Sequence, residues 1–282
     1  MKVVYPFVSV NLSVKPREEM GFPFLDYGFL YGYGLFESIR IVNGKPLLLD
    51  DHVARMSRGA IILDIPFEYS VDSILKSVTS LIEKNDIQDA ILNFYLTPGD
   101  RSQDPAEKIE INSPLLLMVV RPWPNYNYDV RIQLAARQVS FQRTPLDRLK
   151  TLSWMKNVLE RKLSPESNDV LMYDDKGLVL ETSRANVFFV KGNKIVTPKS
   201  NVVLPGIARQ YLLNNQQAMG YEIVEESVYF DELGIFDEIF LTNSLKGVIL
   251  VDGVENLPNL ESKLVAQNIQ EKYLNSLSLQ RK

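Results

Sequence analysis

The sequence predicts an α+β protein of two domains. Strand-like alternation and helix-like periodicity interleave along the chain without the regular βαβ spacing of a doubly wound sheet. The stretch RPWPNYN interrupts this pattern, because Pro122 and Pro124 exclude regular helix and central strand. We therefore predict a small N-terminal α+β domain over 1–121, a linker over 122–127, and a larger C-terminal domain over 128–282. With 45% hydrophobic residues, 282 residues can supply both cores.

The N-terminal domain combines strands with two helices. Alternating residues predict strands over Val3–Val10, Leu35–Val42 and Ile91–Leu96, and the apolar run Leu115–Val120 predicts a buried strand. Asp50 precedes the first helical segment and Ser70 precedes the second, and both residue types are common at helix starts. The second segment places apolar residues at 71, 74, 75, 78, 81 and 82, which fits the 3.6-residue period.

The C-terminal domain carries more strands and three helical segments. Strands are predicted over Val130–Ala136, Val170–Tyr173 and Leu178–Leu180, and further strands extend to Val251. Helices are expected from about Leu152 to Leu163, after Pro205-Gly206, and from Leu260 to Leu277.

Composition excludes several kinds of function. The formal charge is −4 and no block of basic residues is present, which argues against a nucleic-acid partner. The start MKVVYPFVSV lacks the features of a signal peptide and no apolar run approaches a membrane span, so we expect a cytoplasmic protein without membrane contact.

With no cysteine and one histidine, His52, we expect no metal site. His52 follows two aspartates, and we expect it to be solvated or to cap a helix. No GxGxxG or GxxxxGK[ST] motif is present, which argues against dinucleotide or NTP chemistry.

Taken singly, Lys150, Glu181 and Arg55 are each more typical of solvated surface charge than of catalysis, and Arg55 could simply pair with Asp51. Their order changes this interpretation. The chain carries, in order, DYGFLYGYGLFESIR (26–40), HVAR (52–55), Arg143 with Lys150, LVLETSRANVFFV (178–190), LPGIARQ (204–210) and LTNS (241–244). This series resembles the fold-type IV enzymes that use pyridoxal 5′-phosphate (PLP), namely branched-chain aminotransferases, D-amino acid aminotransferases and aminodeoxychorismate lyases.

The resemblance implies that Lys150 binds PLP as a Schiff base and moves a proton between the substrate α-carbon and the cofactor. A Schiff base needs a neutral amine, and burial beside a cationic group lowers a lysine pKa. Leu149, Leu152, Trp154 and Met155 could supply an apolar wall.

The resemblance also assigns the cofactor contacts. Glu181 would meet the pyridine nitrogen, and Arg143 would reach the 3-hydroxyl, although a solvated arginine fits that loop equally well. The helix start would present backbone amides to the phosphate, and a proline-glycine helix start is also common for purely structural reasons. The full set of expected cofactor-binding residues is Arg55, Arg143, Glu181, Asn186, Leu204, Gly206, Ile207, Ala208, Asn243 and Ser244. Ala208 stands where many relatives have threonine, and Tyr33 replaces an aspartate of the family's YGDG motif.

The residues expected to bind the substrate differ from those of the family more than the cofactor-binding residues do. Asn93 occupies the position of an arginine in branched-chain enzymes and of a lysine in the lyases, and Pro98 replaces the arginine of the TRG sequence. No Arg-x-His pair of the D-amino acid type is present, and Met155 replaces a tyrosine of the branched-chain enzymes. Arg40 and Arg101 are candidates for the missing cation. The expected substrate-binding residues are Tyr31, Phe36, Arg40, Asn93, Tyr95 and Arg101, while Tyr33 and Trp123 could line the pocket or belong to the core.

The predicted function is transfer of an amino group between an amino acid, branched-chain-like or D-amino acid-like, and a 2-oxo acid. An alternative is an aminodeoxychorismate lyase that releases pyruvate and 4-aminobenzoate in folate synthesis. A non-catalytic scaffold with the same fold is the third possibility. The family and the apolar stretch Phe22–Phe36 together predict a homodimer.

Overall fold

The computed structural model of the protein describes residues 4–21, 23–100, 113–124, 126–139, 143–257, 260 and 262–277. The chain forms two compact units. The first comprises Met1–Asn125 and Leu149–Trp154, and the second comprises Tyr126–Arg148 and Met155–Lys282. The predicted linker over 122–127 spans this division, and residues 149–154, predicted as part of the C-terminal domain, belong to the first unit.

The described residues of the first unit form a six-stranded antiparallel sheet with strand order β2-β1-β6-β5-β3-β4. Its strands are β1 (Phe7–Val10), β2 (Ser13–Pro16), β3 (Leu35–Val42), β4 (Lys45–Pro46), β5 (Ala90–Thr97) and β6 (Leu115–Pro122). Its helices are α1 (Tyr27–Tyr31), α2 (Leu49–Ile62) and α3 (Val71–Lys84). One face of the sheet packs against α2 and α3 around a core that includes Ile39, Met56, Ile74 and Phe94.

The ends of these helices follow their capping chemistry. The Ser70 side chain accepts a hydrogen bond from the amide of Ser73 and caps α3, as predicted. The start of α2 differs from the prediction, because the helix begins at Leu49 and its N-cap is Leu48 in the left-handed region. Asp50 and Asp51 therefore lie in the first turn, where their carboxylates interact favourably with the positive end of the helix dipole.

The described residues of the second unit form an eight-stranded mixed sheet with strand order β12-β11-β10-β13-β14-β7-β8-β9. Its strands are β7 (Ile132–Gln138), β8 (Asp169–Tyr173), β9 (Val179–Thr182), β10 (Asn186–Lys191), β11 (Lys194–Pro198), β12 (Glu222–Glu226), β13 (Glu238–Asn243) and β14 (Gly247–Val254). Its helices are α4 (Met155–Lys162), α5 (Ile207–Asn214), α6 (Gln216–Met219) and α7 (Leu264–Ser276).

The second unit has its own core, built from residues such as Leu134, Val187, Phe189 and Leu241. The pairs β11/β12, β14/β7 and β7/β8 are parallel and the other pairs are antiparallel. An antiparallel sheet in the first unit and a mixed sheet in the second, each packed with helices, confirm the α+β prediction. The helices of the described residues are too short or too polar to span a bilayer.

Candidate functional site

Lys150 is held in the first unit by backbone pairing with β3. The Lys150 carbonyl accepts a hydrogen bond from the Phe36 amide at 2.8 Å, and the Leu152 amide donates to the Gly34 carbonyl at 2.9 Å. Gly34 permits this approach, because a Cβ atom there would lie 2.8 Å from Leu152 Cδ1 and, on the side of β5, 2.5 Å from the Leu96 carbonyl oxygen. Residues 150–152 thus pair with the start of β3. The helix predicted from about Leu152, just after Lys150, begins only at Met155 as α4.

Two aromatic rings surround the Lys150 amine. Its Nζ lies 4.4 Å from the centre of the Phe36 ring and 4.9 Å from that of Trp154, and the two rings meet edge to face at 5.5 Å. Trp154 belongs to the predicted apolar wall, whereas Phe36 was predicted as a substrate contact. Met155 is 71% exposed, so this part of the predicted wall is open to solvent in the chain.

A buried cluster of Glu37, His52 and Arg55 lies in the same unit. Arg55 holds the Glu37 carboxylate through two hydrogen bonds, Nε to Oε1 at 2.7 Å and Nη2 to Oε2 at 2.6 Å. His52 Nδ1 bonds Oε2 at 2.6 Å. All three residues are buried. The expectation that His52 is solvated or caps a helix is therefore wrong, because α2 turns it towards the sheet and Glu37 offers it a partner.

Burial and mutual interactions shift the pKa values of Glu37 and His52. Burial raises the pKa of Glu37, but Arg55 and His52 outweigh burial and lower that pKa to about 2. Burial lowers the pKa of His52 and overcomes the opposing effect of Glu37, while the charges of Arg55 and Lys150 lower it further. At neutral pH the cluster therefore contains a carboxylate, a guanidinium and a neutral imidazole, which donates from Nδ1. Sequence reasoning did not select Glu37.

The second unit contains Glu181 on β9 with its partners. Arg143 Nη1 lies 2.8 Å from Glu181 Oε1, and Asn186 Nδ2 and the Leu204 amide bond Oε2 at 3.2 Å and 3.3 Å. Asn186 also donates to the Leu204 carbonyl at 2.9 Å. Arg143, predicted to reach a cofactor hydroxyl, here lies against the carboxylate predicted to meet the ring nitrogen. Arg143, Glu181, Asn186 and Leu204 therefore form one connected group.

The start of α5 follows directly from this group. Gly206 is the N-cap of α5, and a Cβ atom there would lie 2.0 Å from Asn186 Oδ1, so glycine is needed for the close approach. Ile207 and Ala208 open the helix and are buried. At the end of β13, Asn243 Oδ1 accepts hydrogen bonds from the amides of Leu245 and Lys246, which fixes the turn that contains Ser244.

The predicted substrate residues lie in different surroundings. Phe36, Asn93 and Tyr95 occupy the sheet face opposite α2 and α3, since Phe36 pairs with Tyr95 and Ser38 with Asn93 across β3 and β5. Arg40 shares this face, but its guanidinium lies 3.6 Å from the Trp123 ring centre and also bonds Asp89. Tyr31 is exposed in α1. Tyr33 donates to the Leu63 carbonyl and packs against the core. Arg101 lies outside the described residues.

The side chains of both units have the chemistry that PLP requires. A cofactor with an aldehyde, a phosphate and a pyridine nitrogen calls for an amine, a guanidinium or amide cradle, and a carboxylate. Lys150 and the buried Arg55 supply the first two in one unit, while Glu181 and the α5 amides supply a carboxylate and further donors in the other. Each unit therefore carries groups of the kinds that this cofactor requires.

Comparison with known proteins places the chain in a family. Residues 34–254 match the family model described as amino-transferase class IV. The chain is 28% identical to the aminodeoxychorismate lyase of Bacillus subtilis, with 82% of this chain and 81% of the relative covered. It is 27% identical to the D-alanine aminotransferase of Bacillus licheniformis, with 90% and 89% covered.

A solved structure agrees with this assignment. A branched-chain amino acid aminotransferase from T.th., solved with pyridoxamine 5′-phosphate, has a TM-score of 0.86 at 22% identity, covering 98% of this chain and 95% of the other. The fold is thus shared, and the family model covers well over half of the sequence. The chain therefore belongs to the amino-transferase class IV family and is a PLP-dependent enzyme.

Proposed function

We propose that the protein transfers an amino group between an amino acid and a 2-oxo acid. The observation that carries this proposal is the Lys150 amine, fixed by its backbone on β3 and placed against Phe36 and Trp154. A lysine fixed in this way is suited to covalent catalysis, because it need not lose backbone freedom when it reacts. The D-alanine aminotransferase of B. licheniformis supports the same class of reaction.

Each residue has a separate task in this mechanism. When bound, PLP supplies an electron sink for the carbanion that forms when the α-proton leaves. Lys150 Nζ would hold the cofactor and would move the proton from the substrate α-carbon. Arg55, oriented by Glu37, binds the phosphate. Glu181, positioned by Arg143 and Asn186, would accept a hydrogen bond from the pyridine nitrogen.

Elimination of pyruvate from aminodeoxychorismate is the second candidate function. It is favoured by the 28% identity to the B. subtilis lyase. Lys150 and Glu181 would serve both reactions, because both reactions act on a substrate amine and differ in the bond that breaks. The two functions can therefore be distinguished by the product, which is a 2-oxo acid after amino-group transfer and pyruvate with 4-aminobenzoate after elimination.

A half-reaction screen separates these functions. We expect the purified enzyme to lose its yellow absorbance when an L- or D-amino acid is added alone, and to recover it with a 2-oxo acid. A lyase would instead release pyruvate from aminodeoxychorismate without an acceptor. A colourless protein that reacts with neither would be a scaffold and would contradict the proposal. The measurements are cofactor absorbance and pyruvate release.

We also propose a homodimer. Phe24, Phe29 and Tyr31 are 69%, 58% and 58% exposed in the chain and lie in or next to α1, which suits an apolar subunit contact. We expect light scattering to give about twice the chain mass of 32.2 kDa. Phe29→Ser should shift the protein towards monomer, whereas Ile61→Ser, at a still more exposed position on α2, should not. A wild-type monomer that turns over substrate would disprove the dimer.

A further inference from the structure

Tyr273 of α7 lies against the turn that is expected to hold the cofactor phosphate. This turn joins β13 to β14, contains Ser244, and leads into Gly247, whose φ of +67° favours glycine. The Tyr273 ring occupies the space of a side chain at position 247, because a Cβ atom on Gly247 would lie 2.5 Å from Tyr273 Cε1 and 2.8 Å from Cδ1. The observed path of the turn therefore depends on a glycine with an aromatic ring packed against it.

The same helix also holds the start of β14. Gln270, which is buried and lies three residues before Tyr273, donates from Nε2 to the Val248 carbonyl at 3.1 Å. Gly247 pairs across the strands with Asn243, whose Oδ1 accepts the hydrogen bonds that fix the turn. Helix α7 thus contacts two consecutive residues of β14, and one of them lies opposite the residue that shapes the turn.

Tyr273 also contacts helix α5. Its ring meets the Tyr211 ring edge to face, with the ring centres 5.4 Å apart. Tyr211 lies about one helical turn after Ile207, the first residue of α5, and the amides at this helix start are the other expected phosphate donors. Aromatic pairs in this geometry stabilise packing beyond the area that they bury. Tyr273 is therefore a contact shared by α5 and the Ser244 turn, and all of these residues belong to the second unit.

The Tyr273 side chain acts as an uncharged ring. It is 2% exposed, and this burial raises the pKa of its phenol, as do the neighbouring Tyr211 and Tyr128 to a smaller extent. The contacts with Gly247 and Tyr211 are made by the ring. Phenylalanine can therefore replace tyrosine in this role, whereas an aliphatic side chain cannot.

We propose that Tyr273 is a positioning residue for the cofactor phosphate, because its ring holds the Ser244 turn and the start of α5 in one arrangement. This inference rests on the proposed function, since it takes Ser244 and the α5 amides as phosphate donors. Donors that are held by packed neighbours need not be ordered when a ligand binds, which increases affinity. Removal of the ring should therefore weaken phosphate binding and leave the reaction of the cofactor aldehyde with Lys150 unchanged.

Titration of the apo-enzyme with PLP and with pyridoxal, which has the same aldehyde and no phosphate, tests this role. We expect Tyr273→Leu to raise the Kd for PLP roughly tenfold or more and to change the Kd for pyridoxal by less than about twofold. Tyr273→Phe should bind both compounds like the wild type. In the PLP complex of Tyr273→Leu, the phosphorus NMR signal should also move from its wild-type position.

Two further variants separate positioning from stability. Phe230→Ala is the matched control, because it removes another stacked ring of the second unit, 4.4 Å from the Tyr173 ring. It should unfold at lower urea concentration and keep the wild-type ratio of the two Kd values. Gly247→Ala disturbs the same contact from the turn, since its Cβ would press on the Tyr273 ring. It should weaken PLP selectively, and it decides the question if Tyr273→Leu does not fold.

The outcomes distinguish this inference from the proposed function. If folded Tyr273→Leu or Gly247→Ala keeps wild-type affinity for PLP, or loses PLP and pyridoxal equally, Tyr273 has only a packing role and the inference is overturned while the proposed function stands. If the wild type binds pyridoxal as tightly as PLP, the assigned phosphate donors are wrong and the inference falls with them. A wild type that binds neither compound would contradict the proposed function itself.

Discussion

Lys150→Ala is expected to lower turnover at least about 10³-fold, because the residue supplies both the covalent attachment point and the base that moves the α-proton. The protein should still fold, since Lys150 contributes its backbone to the β3 pairing and alanine keeps that backbone. Borohydride reduction should attach the cofactor to the wild-type chain at residue 150 and to no residue of the variant. Mass spectrometry of the digested protein and steady-state kinetics make these measurements.

The matched control for this variant is Lys156→Ala. Lys156 lies six residues further along, in α4, and its amine is 3.7 Å from Asp147. Its removal should leave turnover and cofactor attachment near the wild-type level. Added small primary amines should restore part of the activity of Lys150→Ala, because they can move the proton that the lysine moved. Full activity of that variant without added amine would remove the basis of the proposed mechanism.

The segments with strong local signals could be predicted from the sequence. The predicted strand Leu35–Val42 coincides with β3, and the Ser70 cap with its 3.6-residue apolar series gave the start of α3 correctly. The path of 149–154 could not be predicted, because it depends on pairing with a strand more than 110 residues earlier in the chain. Neither the residue types of this segment nor their hydrophobic periodicity indicates such a long-range pairing. The helix that was expected from Leu152 therefore starts later.

The buried cluster of Glu37, His52 and Arg55 could be predicted from the sequence only in part. Leu35, Glu37, Ile39 and Ile41 alternate along β3, so the period of two already placed Glu37 in the row that faces the core. That signal could have singled out Glu37 as a carboxylate needing partners. The partners themselves required the structure, because His52 and Arg55 reach Glu37 only when α2 packs on the sheet. A histidine beside two aspartates instead suggested a solvated position.

Glu37→Gln is expected to weaken PLP binding at least tenfold and to destabilise the fold. The amide cannot balance the buried Arg55 charge, and removing one partner of a buried ion pair costs roughly 3–5 kcal/mol. Arg55 should then leave the orientation that we propose for phosphate binding, so the Kd for PLP rises while Lys150 remains in place. Absorbance titration of the apo-enzyme with PLP measures the first effect, and urea unfolding measures the second.

Glu160→Gln separates the two effects of Glu37→Gln. Glu160 is also a buried carboxylate bonded to an arginine, with Arg137 Nε at 2.9 Å, but it lies on α4 in the second unit. This variant should lose stability and keep the wild-type Kd for PLP. Glu37→Asp, which preserves the charge with a shorter reach, should recover part of the PLP affinity. If Glu37→Gln is destabilised yet binds PLP as tightly as the wild type, Glu37 has only a structural role and does not position Arg55.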